Sequence, residues 1–434
     1  MSDRDNKSPD NLATHSAVSL AMDSGSEHIL TPFSGPDVAR IGQPVTLTRP
    51  WTLGRAGGGA DVGVRDPRMS RRHLVIGPHD NSLICTIEDL GAKNGSFLNG
   101  RRIKTRAALQ PGDVVRAGDT LFAYEMVAPV GDEIGADLLL GASYLMRCLR
   151  AELALAARSG KTALLLGASG TGKEVAARAL HRAFGRSGPF VAVNCGAIPK
   201  DLVESTLFGS KRGAFTGAIE NREGHFLAAH GGTLFLDEVG ELPPMAQPSL
   251  LRVLEDGRIT PVGASRGRTV DVRIVAATNV DLQGAVARGA FRRDLYARLN
   301  QWPVRFPALG ERRRDIPQLI EHLTRGARWT PNALEALVVA DWPENVRGLA
   351  NEVQRAATRA GNAEADVIHL SEGIVAPLRQ GRAPMVTPDR EELIRRLRAH
   401  DFNISQVARS LSRTRKQIYR WLERYEIDVE ALKR

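Results

Sequence analysis

A chain of 434 residues is too long for one hydrophobic core, and 42% hydrophobic with 25% charged residues is the balance of a soluble globular protein of roughly two to four domains. No apolar run reaches the length of a membrane span and the N-terminus lacks a secretory signal's basic-then-apolar order, so a cytoplasmic protein with no membrane attachment is expected. The net charge of +10 admits nucleic acid as a partner, while the three scattered cysteines, Cys85, Cys148 and Cys195, have neither disulfide nor metal-ligand spacing.

Residues 1–37 are rich in Ser, Asp, Asn, Gly and Pro with little periodicity and read as a disordered leader. Over residues 38–128, short apolar runs such as Leu83-Ile84-Cys85-Thr86-Ile87 and Asp113-Val114-Val115-Arg116 alternate with turn formers, the spacing of an all-β sandwich. Along it stand Gly54-Arg55, Ser70-Arg71-Arg72-His73, Asn94-Gly95-Ser96, Asn99-Gly100 and Pro111-Gly112-Asp113. In this order they resemble the forkhead-associated (FHA) domains, which bind phosphothreonine peptides through loops at one end of a sandwich. A phosphate dianion suits a guanidinium, a hydroxyl and loop amides. The resemblance implies that Arg55 and Ser70 hold the phosphate, that Arg71 adds charge beside it and that Asn94 holds the peptide backbone. Gly54 and His73 would shape the loops.

A polar linker, 129–137, leads to a central domain at 138–360. Strands are expected at Thr162–Leu166, Phe190–Val193, Thr233–Leu236 and Arg273–Ala277 with helices between them, which makes a parallel α/β sheet. The first strand runs into Gly167-Ala168-Ser169-Gly170-Thr171-Gly172-Lys173 and then a helical pattern. This is a phosphate-binding loop for ATP: amides around Gly167, Gly170, Thr171 and Gly172 cradle phosphates, and Lys173 reaches the outer ones. Glu174 stands where Ser or Thr ordinarily meets Mg2+, so the metal must lean on phosphate oxygens, water and the next acidic site. That site is the strand end Asp237-Glu238, where Asp237 would hold Mg2+ through water and Glu238 would polarise the attacking water.

Gly167 to Glu174, Glu204 to Gly209, the loop Gly213-Ala214-Phe215-Thr216-Gly217-Ala218, Gly231 to Glu238, Ala277-Thr278-Asn279, Phe291 to Leu299 and Trp342 to Leu349 together resemble the AAA+ domain of bacterial enhancer-binding proteins, the activators of sigma-54 RNA polymerase. The resemblance implies that the loop Gly213 to Ala218 contacts sigma-54, with Phe215 and Thr216 at its tip. It also implies that Asn194 links the state of Glu238 to that loop, that Asn279 and Arg347 sense the γ-phosphate, and that Arg292 and Arg298 are donated in trans to a neighbour's site. A ring, most simply a hexamer with a resting dimer, follows from the same resemblance. Three departures concern the helical lid: Glu344 where the family usually has Gly, Gly348 where it usually has Glu, and a short stretch between Leu323 and Pro331.

Residues 361–388 read as a second linker and 389–434 as an all-α unit. Its first helix, Arg390 to Ala399, has Leu393 and Leu397 on one face; Val407, Ala408 and Leu411 belong to a second, and Ile418 and Leu422 to a third that starts at Thr414. Basic residues crowd the last two, and the order resembles the Fis-type helix-turn-helix that ends many enhancer-binding proteins. Thr414, Arg415, Lys416 and Gln417 would then reach base edges of upstream promoter DNA, with Arg409, Arg413 and Arg420 on phosphates.

The expected function is a sigma-54-dependent activator whose FHA-like domain senses a phosphothreonine made by a Ser/Thr protein kinase, either on a partner protein or in the leader at Thr14 or Thr31. Two other readings stay open: an AAA+ remodelling ATPase with a different protein target, and a passive DNA-binding repressor with a decayed motor.

Overall fold

The computed structural model describes residues 26–78, 84–214, 220–381 and 390–399, together with positions 402, 407, 418, 422, 425 and 427. Residues up to Gly381 form one compact unit, and those from Arg382 a second.

The first unit opens with a sandwich of β1 (Glu27–Ser34), β2 (Val45–Thr46), β3 (Trp51–Arg55), β4 (Val62–Val64), β5 (Leu74–Pro78), β6 (Cys85–Asp89), β7 (Ser96–Leu98), β8 (Arg101–Arg102), β9 (Ala107–Ala108), β10 (Val114–Ala117) and β11 (Thr120–Val127). One sheet has the order β2-β1-β11-β10-β7-β8 and the other β4-β3-β5-β6-β9. Leu53, Leu74, Ile76 and Ile87 from one sheet meet Leu30, Val115, Phe122 and Tyr124 from the other.

β1 corrects the reading of residues 1–37 as a disordered leader. It pairs antiparallel with β11 from Glu27↔Val127 to Ser34↔Leu121, with a register shift between Pro32 and Ser34. Its stability comes from a partner at the other end of the sandwich sequence, and the interrupting Pro32 hid the alternation. Thr31 lies inside this strand and is 0% exposed, so the folded protein cannot offer it as a phosphothreonine; Thr14 lies outside the described residues.

The linker 129–137 is held along the next helix, because Glu133 pairs with Arg147 at 3.0 Å and with Arg150 at 2.7 Å. The α/β domain then contains α1 (Tyr144–Ser159), β12 (Ala163–Leu166), α2 (Lys173–Ala183), β13 (Phe190–Asn194), α3 (Val203–Phe208), α4 (His225–Ala228), β14 (Thr233–Asp237), α5 (Gln247–Asp256), β15 (Arg258–Ile259), β16 (Arg268–Thr269), β17 (Arg273–Thr278), α6 (Leu282–Ala287), α7 (Arg293–Leu299) and β18 (Trp302–Arg305). Five parallel strands run in the order β13-β14-β17-β12-β18. Neighbouring residues face opposite cores: Leu164, Leu234, Leu236 and Ala276 enter one, and Leu165, Phe235, Val275 and Ala277 the other. Such two-sided burial gives the continuous apolar runs from which four of the strands were expected. The fifth, β18, contains Pro303 and escaped notice; it sits at the sheet edge, where a missing N–H is tolerated.

The lid comprises α8 (Ile316–Thr324), α9 (Pro331–Val339), α10 (Asn345–Ala360) and α11 (Glu372–Gly381). It extends beyond the expected boundary at 360, so most of the stretch read as a linker, 361–388, is lid instead. Ala365 bridges to Trp329, and Leu370, Ile374 and Val375 are buried in the lid core. The short connection after Leu323 is closed by this return segment, with Thr330 N donating to Ala365 O at 2.9 Å.

Sandwich and lid share that core: Phe33, Val114, Leu121 and Ala123 pack in one cluster with Leu309, Ile316, Leu337 and Leu349. Across the junction the buried Arg116 donates from Nε to Glu335 Oε1 at 2.8 Å.

The second unit contains α12 (Arg390–Ala399), and its Leu393 and Leu397 are buried with Val407, Ile418, Leu422 and Ile427. Leu393, Leu397, Val407, Ile418 and Leu422 were expected to face inward, while Ala408 and Leu411, expected with them, lie outside the described residues. Among the described residues no helix is long and apolar enough to cross a membrane.

Candidate nucleotide site and peptide loops

The nucleotide cleft opens at the C-terminal ends of the parallel strands, where a ligand meets loops and helix N-termini. It measures ≈ 380 Å³ and is lined by Gly170, Gly172, Lys173, Glu174, Asn194, Asp237, Glu238, Asn279 and Arg347, nine of the residues expected there. Gly170 and Gly172 have φ of +74° and +106°, which glycine adopts without strain. Lys173 donates from Nζ to Gly167 O and Ala168 O at 2.7 and 2.9 Å. Burial pushes its ammonium pKa down, and the charges of Asp237 and Glu238 pull it back.

Asp237 ends β14 and accepts from Glu238 N at 3.0 Å, and burial raises its pKa above the usual carboxylate value. Glu238 adopts the left-handed region, φ 51° and ψ 45°, a strained state for a non-glycine residue and one found at functional sites. Asn194 lines the cleft, but its Oδ1 is engaged by Gly196 N and Ala197 N at 2.9 and 3.1 Å. Gly196 lies against the carboxylate: a Cβ there would stand 2.7 Å from Glu238 Oε2.

Two expected residues do not line the wall. Thr171 turns its hydroxyl back to Ala168 O at 2.9 Å, and Gly167 N bonds Thr278 O. Glu174 pairs with Arg178 at 2.7 Å. Arg292 and Arg298 lie away from the cleft, about half exposed, in ion pairs with Asp294 at 2.7 Å and Glu255 at 3.6 Å.

The lid is seated on the phosphate loop. Arg347 Nη1 donates to Ser169 Oγ at 3.0 Å, Val346 N to Gly170 O at 3.0 Å, and Asn345 Nδ2 to Ser169 O at 2.9 Å. Asn345, at φ 51°, also accepts from Leu309 N at 2.8 Å. Below the loop the buried Arg312 donates from Nη2 to Thr171 O at 3.0 Å. Sequence reasoning assigned no role to Asn345 or Arg312. Asn345 stands beside Arg347 in a motif already singled out, whereas Arg312 is one of three adjacent arginines with nothing in the sequence to distinguish it.

The loop expected to touch sigma-54 rises from a stem in which Ser210 bridges both Arg222 and Val262. Gly213 follows with φ +79°, and Ala214 N donates to Lys211 O at 3.1 Å. Phe215, Thr216, Gly217 and Ala218 lie outside the described residues, as do Arg409, Arg413, Thr414, Arg415, Lys416, Gln417 and Arg420.

At the sandwich end, three loops come together. Arg55 N donates to Ser70 O at 2.9 Å, Lys93 N to Ser70 Oγ at 3.1 Å, and Asn94 Nδ2 to Arg68 O at 2.5 Å. Buried His73 ties them: Ser70 N donates to its Nδ1 at 3.0 Å, and its Nε2 lies 3.2 Å from Gly95 O. Gly54 is required by close approach, since a Cβ would stand 2.0 Å from Arg71 O. Among the described residues no ion pair engages Arg55 or Arg71, so both guanidinium groups remain available to an anion.

A phosphate loop, paired strand-end carboxylates, a polar residue closing the next strand and a lid arginine on the loop together define a P-loop ATPase of the AAA+ class. Residues 139–305 match the sigma-54 interaction domain, 51–118 the FHA domain and 310–384 the AAA+ ATPase lid domain. The chain is 41% identical over 329 residues to the transcriptional regulatory protein GlrR of Escherichia coli (strain K12), covering 72% of this chain and 73% of that one. It is 47% identical over 245 residues to the Nif-specific regulatory protein of Herbaspirillum seropedicae, covering 54% and 45% respectively. The crystal structure of NtrX from Brucella abortus in complex with ATP is similar with a TM-score of 0.50 and 35% identity, over 67% of this chain and 69% of that one. The chain belongs to the family of transcriptional regulatory proteins built on the sigma-54 interaction domain.

Proposed function

We propose that the protein binds upstream promoter DNA and uses ATP hydrolysis to remodel sigma-54 RNA polymerase for promoter opening, under control of phosphothreonine recognition by its FHA domain. The observation that carries this is the joining of Lys173, Asp237, Glu238, Asn279 and Arg347 in one cleft of a sigma-54 interaction domain.

In this reading Lys173 and the loop amides take the outer phosphates, Asn279 and Arg347 contact the γ-phosphate, and Glu238 orients the attacking water. ATP and water give ADP and phosphate. The ion would be carried mainly by phosphate oxygens and water, with Asp237 at the strand end as its protein contact. Mg2+ so held would supply charge neutralisation on the phosphates. Arg292 and Arg298, exposed and remote from their own cleft, suit donation to a neighbour in a homo-oligomeric ring. Phe215 and Thr216 engage sigma-54, and Thr414, Arg415, Lys416 and Gln417 read DNA. Arg55 and Arg71, which no ion pair engages among the described residues, form the phosphothreonine site with Ser70 and Asn94 for a partner protein or the chain's own leader.

The test uses purified full-length protein with sigma-54 polymerase and promoter DNA. Glu238→Gln should abolish both ATPase and open-complex formation, while Thr216→Ala should keep ATPase and lose promoter opening. Full opening by Thr216→Ala would refute the sigma-54 reading. For the sandwich, phosphothreonine peptides should bind the full chain in preference to unphosphorylated ones, and Arg55→Ala should remove the difference.

A further inference from the structure

The segment Arg312–Asp315 connects the lid to everything around it. Arg312 Nη2 donates to Thr171 O in the phosphate loop, and Arg313 Nη1 to Asn99 Oδ1 of the sandwich at 3.4 Å. Arg314 Nη1 pairs with Glu125 Oε2 of β11 at 2.5 Å. Asp315 accepts from Ser143 N and Ser143 Oγ, the N-cap of α1, both at 2.7 Å. Four successive residues therefore touch the phosphate loop, the sandwich twice, and the ATPase core.

Glu125 spans this joint by itself. Its Oε1 accepts from Tyr144 N, the first residue of α1, at 2.9 Å, while Oε2 holds Arg314 of the lid. The residue is only 7% exposed. One carboxylate from the sandwich is thus bonded to both sides of the place where the lid leaves the core. Arg116 and Glu335 anchor the same sheet to α9, and the shared apolar cluster fills the space between.

We propose that Glu125 is a positioning residue for the ATPase: it fixes the lid against α1 and so keeps Asn345 and Arg347 seated on the phosphate loop. The FHA domain then acts as a splint across the core–lid joint, in addition to any peptide it binds. The inference rests on the ATPase class alone and is independent of what the loops at the far end of the sandwich recognise. Removing the charge of Glu125 leaves the part-buried Arg314, whose side chain is 14% exposed, without its counter-ion, an outcome costlier than never having the pair. The lid can relieve this by swinging away, which withdraws Arg347 from Ser169 and loosens nucleotide retention. The water-activating Glu238 directly follows the core strand β14 and, among the described residues, makes no bond to the lid segment, so hydrolysis of bound ATP is affected much less.

The experiment measures ATPase KM and kcat, dissociation of a fluorescent ADP analogue and the melting temperature, all on full-length Glu125→Gln. Glutamine keeps an acceptor for Tyr144 N and loses the charge on Arg314. KM and the ADP dissociation rate should each rise about tenfold, with kcat changed less than about twofold. Arg314→Gln, made from the lid side, should do the same, and the double variant should be no worse than either single change. If Glu125→Gln does not fold, Arg314→Gln decides on the same readouts. Unchanged KM and dissociation, or a fall in kcat and melting temperature at constant KM, would overturn the proposal.

Discussion

Gly348 N donates to Glu344 O at 3.3 Å, one helical turn back, and a Cβ added at 348 would stand 3.2 Å from Glu344 Cβ. The resemblance to enhancer-binding proteins implies Gly at 344 and Glu at 348, so the two departures fall on one closely spaced pair. The glycine inside α10 makes room for the carboxylate-bearing residue before it.

Gly348→Ala should gain less than the about 1 kcal/mol that helix propensity alone would give, because the new methyl presses on Glu344. In a Glu344→Gly background the same substitution should recover that gain. Urea unfolding of the four proteins in a double-mutant cycle checks this, and equal gains in both backgrounds would show the positions to be independent.

Gly170 faces the lid as closely. A Cβ there would lie 2.2 Å from Glu344 O, at a φ of +74° that alanine resists. Gly170→Ala should push the lid off the phosphate loop and weaken ATP binding by at least about tenfold, roughly 1.4 kcal/mol. Calorimetric titration reads the affinity, and the sheet's unfolding midpoint should change little.

Arg292 is parked on Asp294 by two hydrogen bonds, Nε to Oδ1 at 3.0 Å and Nη2 to Oδ2 at 2.7 Å, on the protein surface. If it serves a neighbour's site, Arg292→Ala should lower kcat by on the order of 10³ with little change in KM. Mixing it with Lys173→Ala should restore part of the rate, since each variant supplies what the other lacks. Steady-state kinetics of single and mixed proteins measure both effects.

His73 gives the sandwich a pH dependence of definite sign. Burial lowers its pKa below 6.5, and the bond to Gly95 offsets this in part. Nδ1 accepts from Ser70 N, so the neutral ring with its proton on Nε2 suits both partners. A depressed histidine pKa means that the unfolded chain binds more protons below 6.5, so the contribution to stability is whole above 6.5 and is lost as pH falls toward the folded value. The melting temperature of the full chain should drop through that window, and His73→Gln should flatten this part of the profile.

Much of the site was legible because its chemistry is written locally. Gly167 to Lys173 follow one apolar run, and Asp237-Glu238 close another, so strand, loop and charge appear within a few residues of one another. β1 and β18 were not legible because each is stabilised by a distant partner, β11 and β12 respectively, and each contains a proline. The lid's return segment was read as a linker because Leu370, Ile374 and Val375 acquire meaning only beside α9 and α10. Arg292 and Arg298 could be named but not located by pattern alone, since a surface arginine looks the same whether it serves its own cleft or another. Glu125 was invisible for a related reason: it sits in a strand whose inward and outward positions give no hint that a lid covers one face.

The cluster joining Phe33, Val114, Leu121 and Ala123 to Leu309, Ile316 and Leu337 has a consequence for how the molecule comes apart. Neither the sandwich nor the lid owns that apolar surface, so heat or denaturant cannot remove one without exposing the other. A fragment beginning after residue 128 would carry this surface bare, together with Glu335 stripped of Arg116, and would be prone to self-association. Sandwich and lid should therefore melt in one transition, as a single cooperative block.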